Sequence, residues 1–299
     1  MRTHRIGLSL VLAAALGCAS QRPAVTGTPA SRSNRGTFAS AAGARQFVVA
    51  RPAGSGGARL PMLVVLHGCV QSADDIARGT RFSEAAAREE FVVLYPEQPA
   101  TAHPQRCWNW FVPGDIARGH GEVALLAEMI DSVSRREGVD RQRIALVGMS
   151  AGAAMAASLA VAYPERFAAL AMHSGIAAGA ATDMTSALRV MGQGATDGDA
   201  LGDAALASMG GTARPIPVIV LHGAADRVVA PANAAATVAQ WTRINARAPG
   251  GGALVEQHMF EGVGHAWSGG SVSGSYTAPQ GGDATGMIIA FFKRVGVLR

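Results

Sequence analysis

Lysine is almost missing from this chain: Lys293 stands alone among 26 basic residues, the rest being arginine. The arginines are scattered, so the net charge of +5 forms no basic stripe of the kind that grips nucleic acid, and no nucleic-acid partner is expected. Charged residues of both signs make up only 16% of the chain, and no long run of one sign occurs, which excludes an acidic or basic interaction tail. Cysteine is scarce, with three in all. There is no CxxC pair and no nearby pair of histidines, so the spacing is wrong for a zinc cluster and no metal site is expected. No internal repeat occurs, which excludes a solenoid or propeller. The apolar run at the N-terminus, Ile6 to Gly17, falls well short of the ~20 residues that span a bilayer.

That short run is informative in another way. Arg2, His4 and Arg5 precede it and Cys18 follows, so residues 1–18 read as a signal peptide. The stretch Ala15-Leu16-Gly17-Cys18 resembles a lipoprotein cleavage box, although Ala15 stands where leucine is more usual. Cys18 is therefore the candidate lipidation site and membrane anchor, with plain secretion as the alternative. Residues 19–43 are rich in Ser, Thr, Pro, Gly and Ala without periodicity and are expected to form a disordered tether. The remainder, 44–299, reads as a single domain, and a hydrophobic share of 49% supplies a sizeable core. Cys69 and Cys107 are the two cysteines left there. In an oxidising compartment they could form a disulfide, but spacing alone leaves two unpaired thiols open.

From about residue 45 the chain alternates strand and helix patterns. Gln46–Val49, Leu60–Leu66, Phe91–Tyr95, Ile144–Val147, Phe167–Met172, Pro217–Leu221 and Leu254–Phe260 are short apolar strands. Helices are expected over Asp74–Glu90, Glu122–Arg136, Ala151–Tyr163 and Asp283–Val295. Continuous apolar strands separated by helices imply a mostly parallel central sheet covered on both faces, an α/β fold. A Gly/Ala/Asp-rich stretch from about 177 to 213 interrupts the alternation and is expected to be an insertion or lid over the site.

Gly148-Met149-Ser150-Ala151-Gly152 is a GxSxG pentapeptide. Alone it is a weak signal, but it follows a strand and opens a helix, the setting of a nucleophile elbow. A serine hydroxyl needs a base, and the base needs a carboxylate to orient it. Of the histidines after Ser150, His258 falls within the last strand and reads as structural. His173 and His222 end strands and could line a pocket. His265 lies in a glycine-rich loop just past the last strand, where catalytic groups gather in parallel sheets. Asp226 follows the strand ending at Leu221, whereas Asp183, Asp197, Asp199 and Asp203 fall in the irregular stretch and Asp283 reads as a helix cap. The expected triad is thus Ser150, Asp226 and His265, in the chain order of α/β-hydrolases. The oxyanion donors are expected to be the N–H groups of Ala151 and of Cys69, which sits in the turn after the strand ending at Leu66.

Longer segments then carry a resemblance: His67-Gly68-Cys69 with Gln71, Tyr95-Pro96-Glu97-Gln98, Cys107-Trp108-Asn109-Trp110-Phe111, the elbow with Met155, His173-Ser174-Gly175, His222-Gly223 with Asp226, Asn233-Ala234, and Gly264-His265-Ala266-Trp267-Ser268-Gly269-Gly270. Together they are similar to the poly(3-hydroxybutyrate) depolymerase-type esterases of the α/β-hydrolase superfamily. The resemblance implies a disulfide joining Cys69 and Cys107. It also implies that Trp108, Trp110 and Trp267, together with His67, lie near the substrate pocket. It implies no cofactor. Granule-digesting secreted enzymes add a linker and a polymer-binding domain, and this chain ends at Arg299 soon after its closing helix. The expected substrates are therefore soluble short-chain or oligomeric hydroxyalkanoate esters. Feruloyl and acetylxylan esters are the alternative, and an inactive ligand-binding surface lipoprotein is the alternative from another class. No protein partner is evident.

Overall fold

The apolar runs become strands because each can be buried on two faces at once. In the computed structural model, residues 31–299 are described. The signal peptide over 1–18, its Cys18, and residues 19–30 of the expected tether lie outside the described residues. The chain runs through β1 (Ser31–Ser40), β2 (Gly43–Pro52), β3 (Met62–Leu66), α1 (Ala73–Thr80), α2 (Phe82–Glu89) and β4 (Val92–Glu97). It continues through α3 (Pro113–Ile116), α4 (Gly121–Glu137), β5 (Ile144–Met149), α5 (Ala151–Ala162), β6 (Ala169–His173), α6 (Met184–Gln193) and α7 (Gly198–Met209). It ends with β7 (Val218–Gly223), α8 (Ala232–Arg247), β8 (Val255–Phe260), β9 (Trp267–Ser268), β10 (Thr277–Ala278) and α9 (Ala284–Arg294).

Eight strands form one sheet in the order β1-β2-β4-β3-β5-β6-β7-β8. β1 and β2 pair antiparallel, as do β2 and β4; every other neighbouring pair is parallel. Alternate side chains of the central strands enter different cores. Val64 and Leu66 pack in the core that holds Val123 and Leu126 of α4, Met155 of α5 and Trp241 of α8. Leu63 and Val65 pack in the opposite core, with Ile76 of α1, Phe82 of α2 and Phe291 of α9. Full burial of one such side chain contributes about 1.5–3 kcal/mol, so the register of β3 and β5 is strongly specified. That register sets Leu66 beside Gly148, Met149 beside His173, and His173 beside Leu221. The turns after β3, β5, β6 and β7 therefore emerge side by side at one edge.

The mostly parallel sheet with helices on both faces agrees with expectation; three local readings need correction. Residues 31–43 are not a tether. They form β1 and its turn into β2, because an edge strand gains its backbone partners from β2 and needs little more than Phe38 against the core. The single helix expected over 74–90 is two, broken at Arg81, whose φ of 56° starts α2 in a new direction so that Ile76 and Phe82 both reach the core. The irregular stretch of 177–213 contains α6 and α7. Two of its aspartates are helix starts: Asp183 accepts from Ser186 N at 2.7 Å and Asp197 from Ala200 N at 2.9 Å, whereas Asp203 lies within α7 and pairs with Arg243 at 2.8 Å.

Candidate active site

Ser150 lies between β5 and α5 at φ 56° and ψ −124°, a conformation that costs a non-glycine residue on the order of 1–3 kcal/mol. The surrounding sequence makes it possible. A Cβ on Gly148 would lie 2.3 Å from Gly152 O, and one on Gly152 would lie 2.2 Å from Leu66 O. Only hydrogen at both positions lets the elbow close against β3. Ser150 N donates to His173 O at 2.9 Å, which ties the elbow to β6. The hydroxyl is thus held above the sheet at the N-terminus of α5, where the helix dipole favours negative charge.

His265 Nε2 lies 2.9 Å from Ser150 Oγ, and His265 Nδ1 lies 2.8 Å from Asp226 Oδ2. The carboxylate can only accept, so the imidazole proton sits on Nδ1 and Nε2 is free to take the serine proton. Asp226 Oδ1 accepts from the amides of Val228 and Val229, each at 2.9 Å, so the turn after β7 clamps the carboxylate. Burial pushes the Asp226 pKa up, but hydrogen bonds from His222 and His265 and from the Val229 amide outweigh it. The carboxyl is held far below the usual aspartate range.

The turn after β3 crosses directly above the serine: a Cβ on Gly68 would lie 3.4 Å from Ser150 Cβ. Its polar groups are nearly all committed. Trp108 Nε1 donates to His67 O at 3.1 Å, and Gly68 N donates to Gln71 Oε1 at 2.9 Å. His67 Nδ1 donates to Gly68 O at 2.7 Å, and Val70 N donates to Gln105 O at 2.6 Å. Among the described residues the Cys69 N–H has no such partner, nor does the Ala151 N–H in the first turn of α5. Cys69 is disulfide-bonded to Cys107, with their Cα atoms 4.2 Å apart, as the resemblance implied.

Of the four pocket residues expected, the structure brings only Trp110 to the cavity wall. His67 is fully buried beneath the turn. Gln98 N donates to its Nε2 at 3.0 Å while Nδ1 serves Gly68 O, so the ring is neutral, and burial holds its pKa below the ordinary histidine value. Trp108 is also buried, because its indole N–H is needed at His67 O. Trp267 is 1% exposed: it packs edge-on to Phe82 and stacks on His173, and its Nε1 donates to Thr285 Oγ1 at 3.0 Å. His173 and His222 lie below the site as well. Burial, followed by the neighbouring His222 and His265, pushes the His173 pKa down to about 3. His222 Nε2 donates to Val229 O at 2.9 Å and lies 3.4 Å from Asp226 Oδ2, supporting the acid from behind. His258 sits on β8 with Nε2 3.5 Å from Glu256, away from the triad.

The cavity over Ser150 is about 310 Å³. One wall is α6, through Met184, Ala187, Leu188 and Met191. These positions follow an i, i+3, i+4, i+7 spacing, an apolar helical stripe that could have been read from the sequence. Val228, Tyr276 and His103 complete the rim and carried no such signal. Glu122, also unforeseen, is buried at the start of α4. Its carboxylate accepts from Arg45 Nη2 at 3.0 Å and from Asn109 N at 2.8 Å, and it also takes the Gln98 amide, fastening the 107–109 segment from behind. Burial raises its pKa. Among the described residues there is no group of three or more His, Cys, Asp or Glu able to hold a metal ion.

Comparison with known proteins adds to this geometry. The sequence pattern of the family described as Esterase PHB depolymerase matches residues 46–263. A poly(3-hydroxyalkanoate) depolymerase C from Paucimonas lemoignei is 34% identical over 229 residues, covering 70% of this chain and 55% of that protein. A feruloyl esterase B from Thermothelomyces thermophilus is 30% identical over 195 residues, covering 62% of this chain and 65% of that protein. The chain therefore spans between about half and two thirds of the length of these relatives. Among solved structures, an acetyl xylan esterase from Aspergillus awamori shares the fold. Its TM-score is 0.67 at 21% identity, over 78% of this chain and 94% of that one.

Proposed function

The chain belongs to the esterase PHB depolymerase family, and from that premise we propose that it is a secreted serine esterase acting through an acyl-enzyme. The observation that carries the reading is the unbroken line from Ser150 Oγ through His265 to Asp226, set beneath two unpaired amides. His265 removes the Ser150 proton as the oxygen attacks an ester carbonyl. Asp226 holds His265 in the tautomer that allows this and supports the imidazolium that forms. The N–H groups of Ala151 and Cys69 receive the developing oxyanion. His265 then returns the proton to the departing alcohol, and water, deprotonated by the same imidazole, releases the acid. No step calls for a cofactor.

Short-chain or oligomeric hydroxyalkanoate esters are the proposed substrates, in keeping with the relative from Paucimonas lemoignei. Feruloyl or acetylxylan esters form the second reading, favoured by the feruloyl esterase B relative and by the likeness of fold to acetyl xylan esterase. Export by way of residues 1–18, with anchoring through a lipidated Cys18, is part of the proposal; no helix among the described residues is long and apolar enough to cross a membrane. The test is hydrolysis of p-nitrophenyl acetate, butyrate and octanoate beside methyl ferulate and 3-hydroxybutyrate oligomers, with Ser150→Ala as control. The preferred ester decides between the two substrate readings. A folded, disulfide-bonded protein that cleaves none of them would return the chain to the ligand-binding class.

A further inference from the structure

The cavity wall is apolar on the α6 side, but one corner is not. His103, Gln105 and Cys107 border it beside the oxyanion turn. His103 is fastened through one nitrogen: its Nδ1 accepts from Gln105 N at 3.2 Å and from Cys107 N at 3.3 Å. Two amides donating into Nδ1 fix the tautomer of the neutral ring, whose proton then sits on Nε2. Nε2 lies on the other side of the ring and has no hydrogen-bond partner among the described residues. Gln71, a buried polar side chain of the same cavity, is spent. Its Oε1 takes the Gly68 amide, and its Nε2 donates to Asp75 Oδ2 at 3.0 Å and Ser275 O at 3.1 Å.

We propose that His103 forms a specificity subsite, in which its Nε2–H donates a hydrogen bond to a second, non-scissile carbonyl oxygen of an oligomeric hydroxyacid ester. This rests on the esterase reading above and narrows it. A simple alkyl ester has no second carbonyl oxygen to offer. A sugar or phenol hydroxyl can accept this bond, but its own O–H then needs an acceptor, and the α6 side of the cavity presents only apolar side chains. The interior repeats of an oligoester carry carbonyl acceptors and no donors, so they match it without leaving a buried group unpaired. The loop is held in register with the catalytic centre, because Cys107 is bonded to Cys69, whose N–H is the proposed oxyanion donor.

The test compares kcat/KM for 3-hydroxybutyrate trimer methyl ester, methyl ferulate and p-nitrophenyl butyrate in the intact protein, in His103→Asn and in His103→Gln. Asparagine keeps an acceptor where Nδ1 stands and removes the distal donor; glutamine places an N–H near Nε2. The expected result is that His103→Asn lowers kcat/KM for the trimer about fivefold to tenfold more than for the butyrate, mainly through KM, and that His103→Gln recovers part of the loss. Equal loss on trimer and butyrate, or none, would overturn the subsite. So would a selective loss that falls on methyl ferulate. An intact protein inactive on all three esters would instead overturn the esterase reading and the subsite with it.

Discussion

The two proposed oxyanion donors reach the same point by different means. The Ala151 N–H belongs to the first turn of α5. A helix leaves that amide unpaired wherever it begins, and the strand–elbow–helix geometry aims it with no help from a distant side chain. The Cys69 N–H belongs to an irregular turn with no such rule. There the peptide plane is set by its own carbonyl, Gly68 O, which the His67 imidazole holds, while Gln71 and Trp108 hold the neighbouring groups and Cys107 ties the side chain. One donor is a consequence of secondary structure. The other depends on the turn's own His67 and Gln71, on Trp108 and Cys107 of the 103–111 segment, on the Gln98 amide, and on Glu122 behind them. The first half of the site therefore tolerates changes at a distance, whereas the second is exposed to mutation at residues that never touch substrate.

That contrast can be broken by experiment. The reference is Ser150→Ala, which removes the nucleophile shared by both halves and is expected to lower kcat on the order of 10⁵-fold or more, read on p-nitrophenyl butyrate. His67→Leu attacks the Cys69 half alone. With only the longer bond from Gln71 N, at 3.4 Å, left to hold Gly68 O, kcat falls about 10²-fold, the scale of one lost oxyanion donor, with KM little changed. Affinity for a trifluoromethyl ketone that forms a tetrahedral adduct falls in parallel. If kcat survives this substitution, the Cys69 amide is not held by His67 and the contrast fails. Replacing Cys69 and Cys107 together by serine leaves the hydrogen bonds of the turn in place and should cost less, about tenfold in kcat, within the range expected for sub-ångström misplacement. Leu188→Ala, on the α6 rim, should leave kcat alone and raise KM for p-nitrophenyl octanoate about threefold.

The smallest effect separates stability from catalysis at Asp226. Its folded-state pKa lies well below the unfolded value of about 3.9. Its charge therefore contributes stability that is fully present above that pH and is lost as pH falls toward the folded-state pKa. Thermal melts of the intact protein and of Asp226→Asn between pH 7 and pH 3 should show the advantage of the aspartate shrinking only below about pH 4. A constant difference across that range would mean that Asp226 is not held ionised by His222, His265 and the Val229 amide.

Much of the architecture was legible because its signals are local and periodic. The buried strands and the pentapeptide between β5 and α5 follow from residue types at short spacings, and the proposed triad of Ser150, Asp226 and His265 from each residue's place just past a strand. The breaks in legibility also have physical reasons. β1 is polar and exposed, and it is a strand only because β2 lies beside it. Asp183 and Asp197 look like loop residues until the helices they cap are present. Glu122 reads as an ordinary helix-start carboxylate, and only packing reveals that Arg45, Gln98 and Asn109 converge on it from three other segments.

The four aromatic rings assigned to the pocket show where the boundary falls. The family resemblance implies that His67, Trp108, Trp110 and Trp267 lie near the pocket, and of these only Trp110 lines the cavity wall. Which way each ring points depends on hydrogen bonds made across the fold: His67 to Gly68 O and from Gln98 N, Trp108 to His67 O, Trp267 to Thr285. A sequence can specify an elbow, a helix start and the identity of a base, since each is dictated by neighbours along the chain. It cannot by itself say whether an indole N–H will be spent on a distant carbonyl or left at a cavity wall. That choice is made where segments far apart in sequence meet and leaving a buried polar group without a partner is costly.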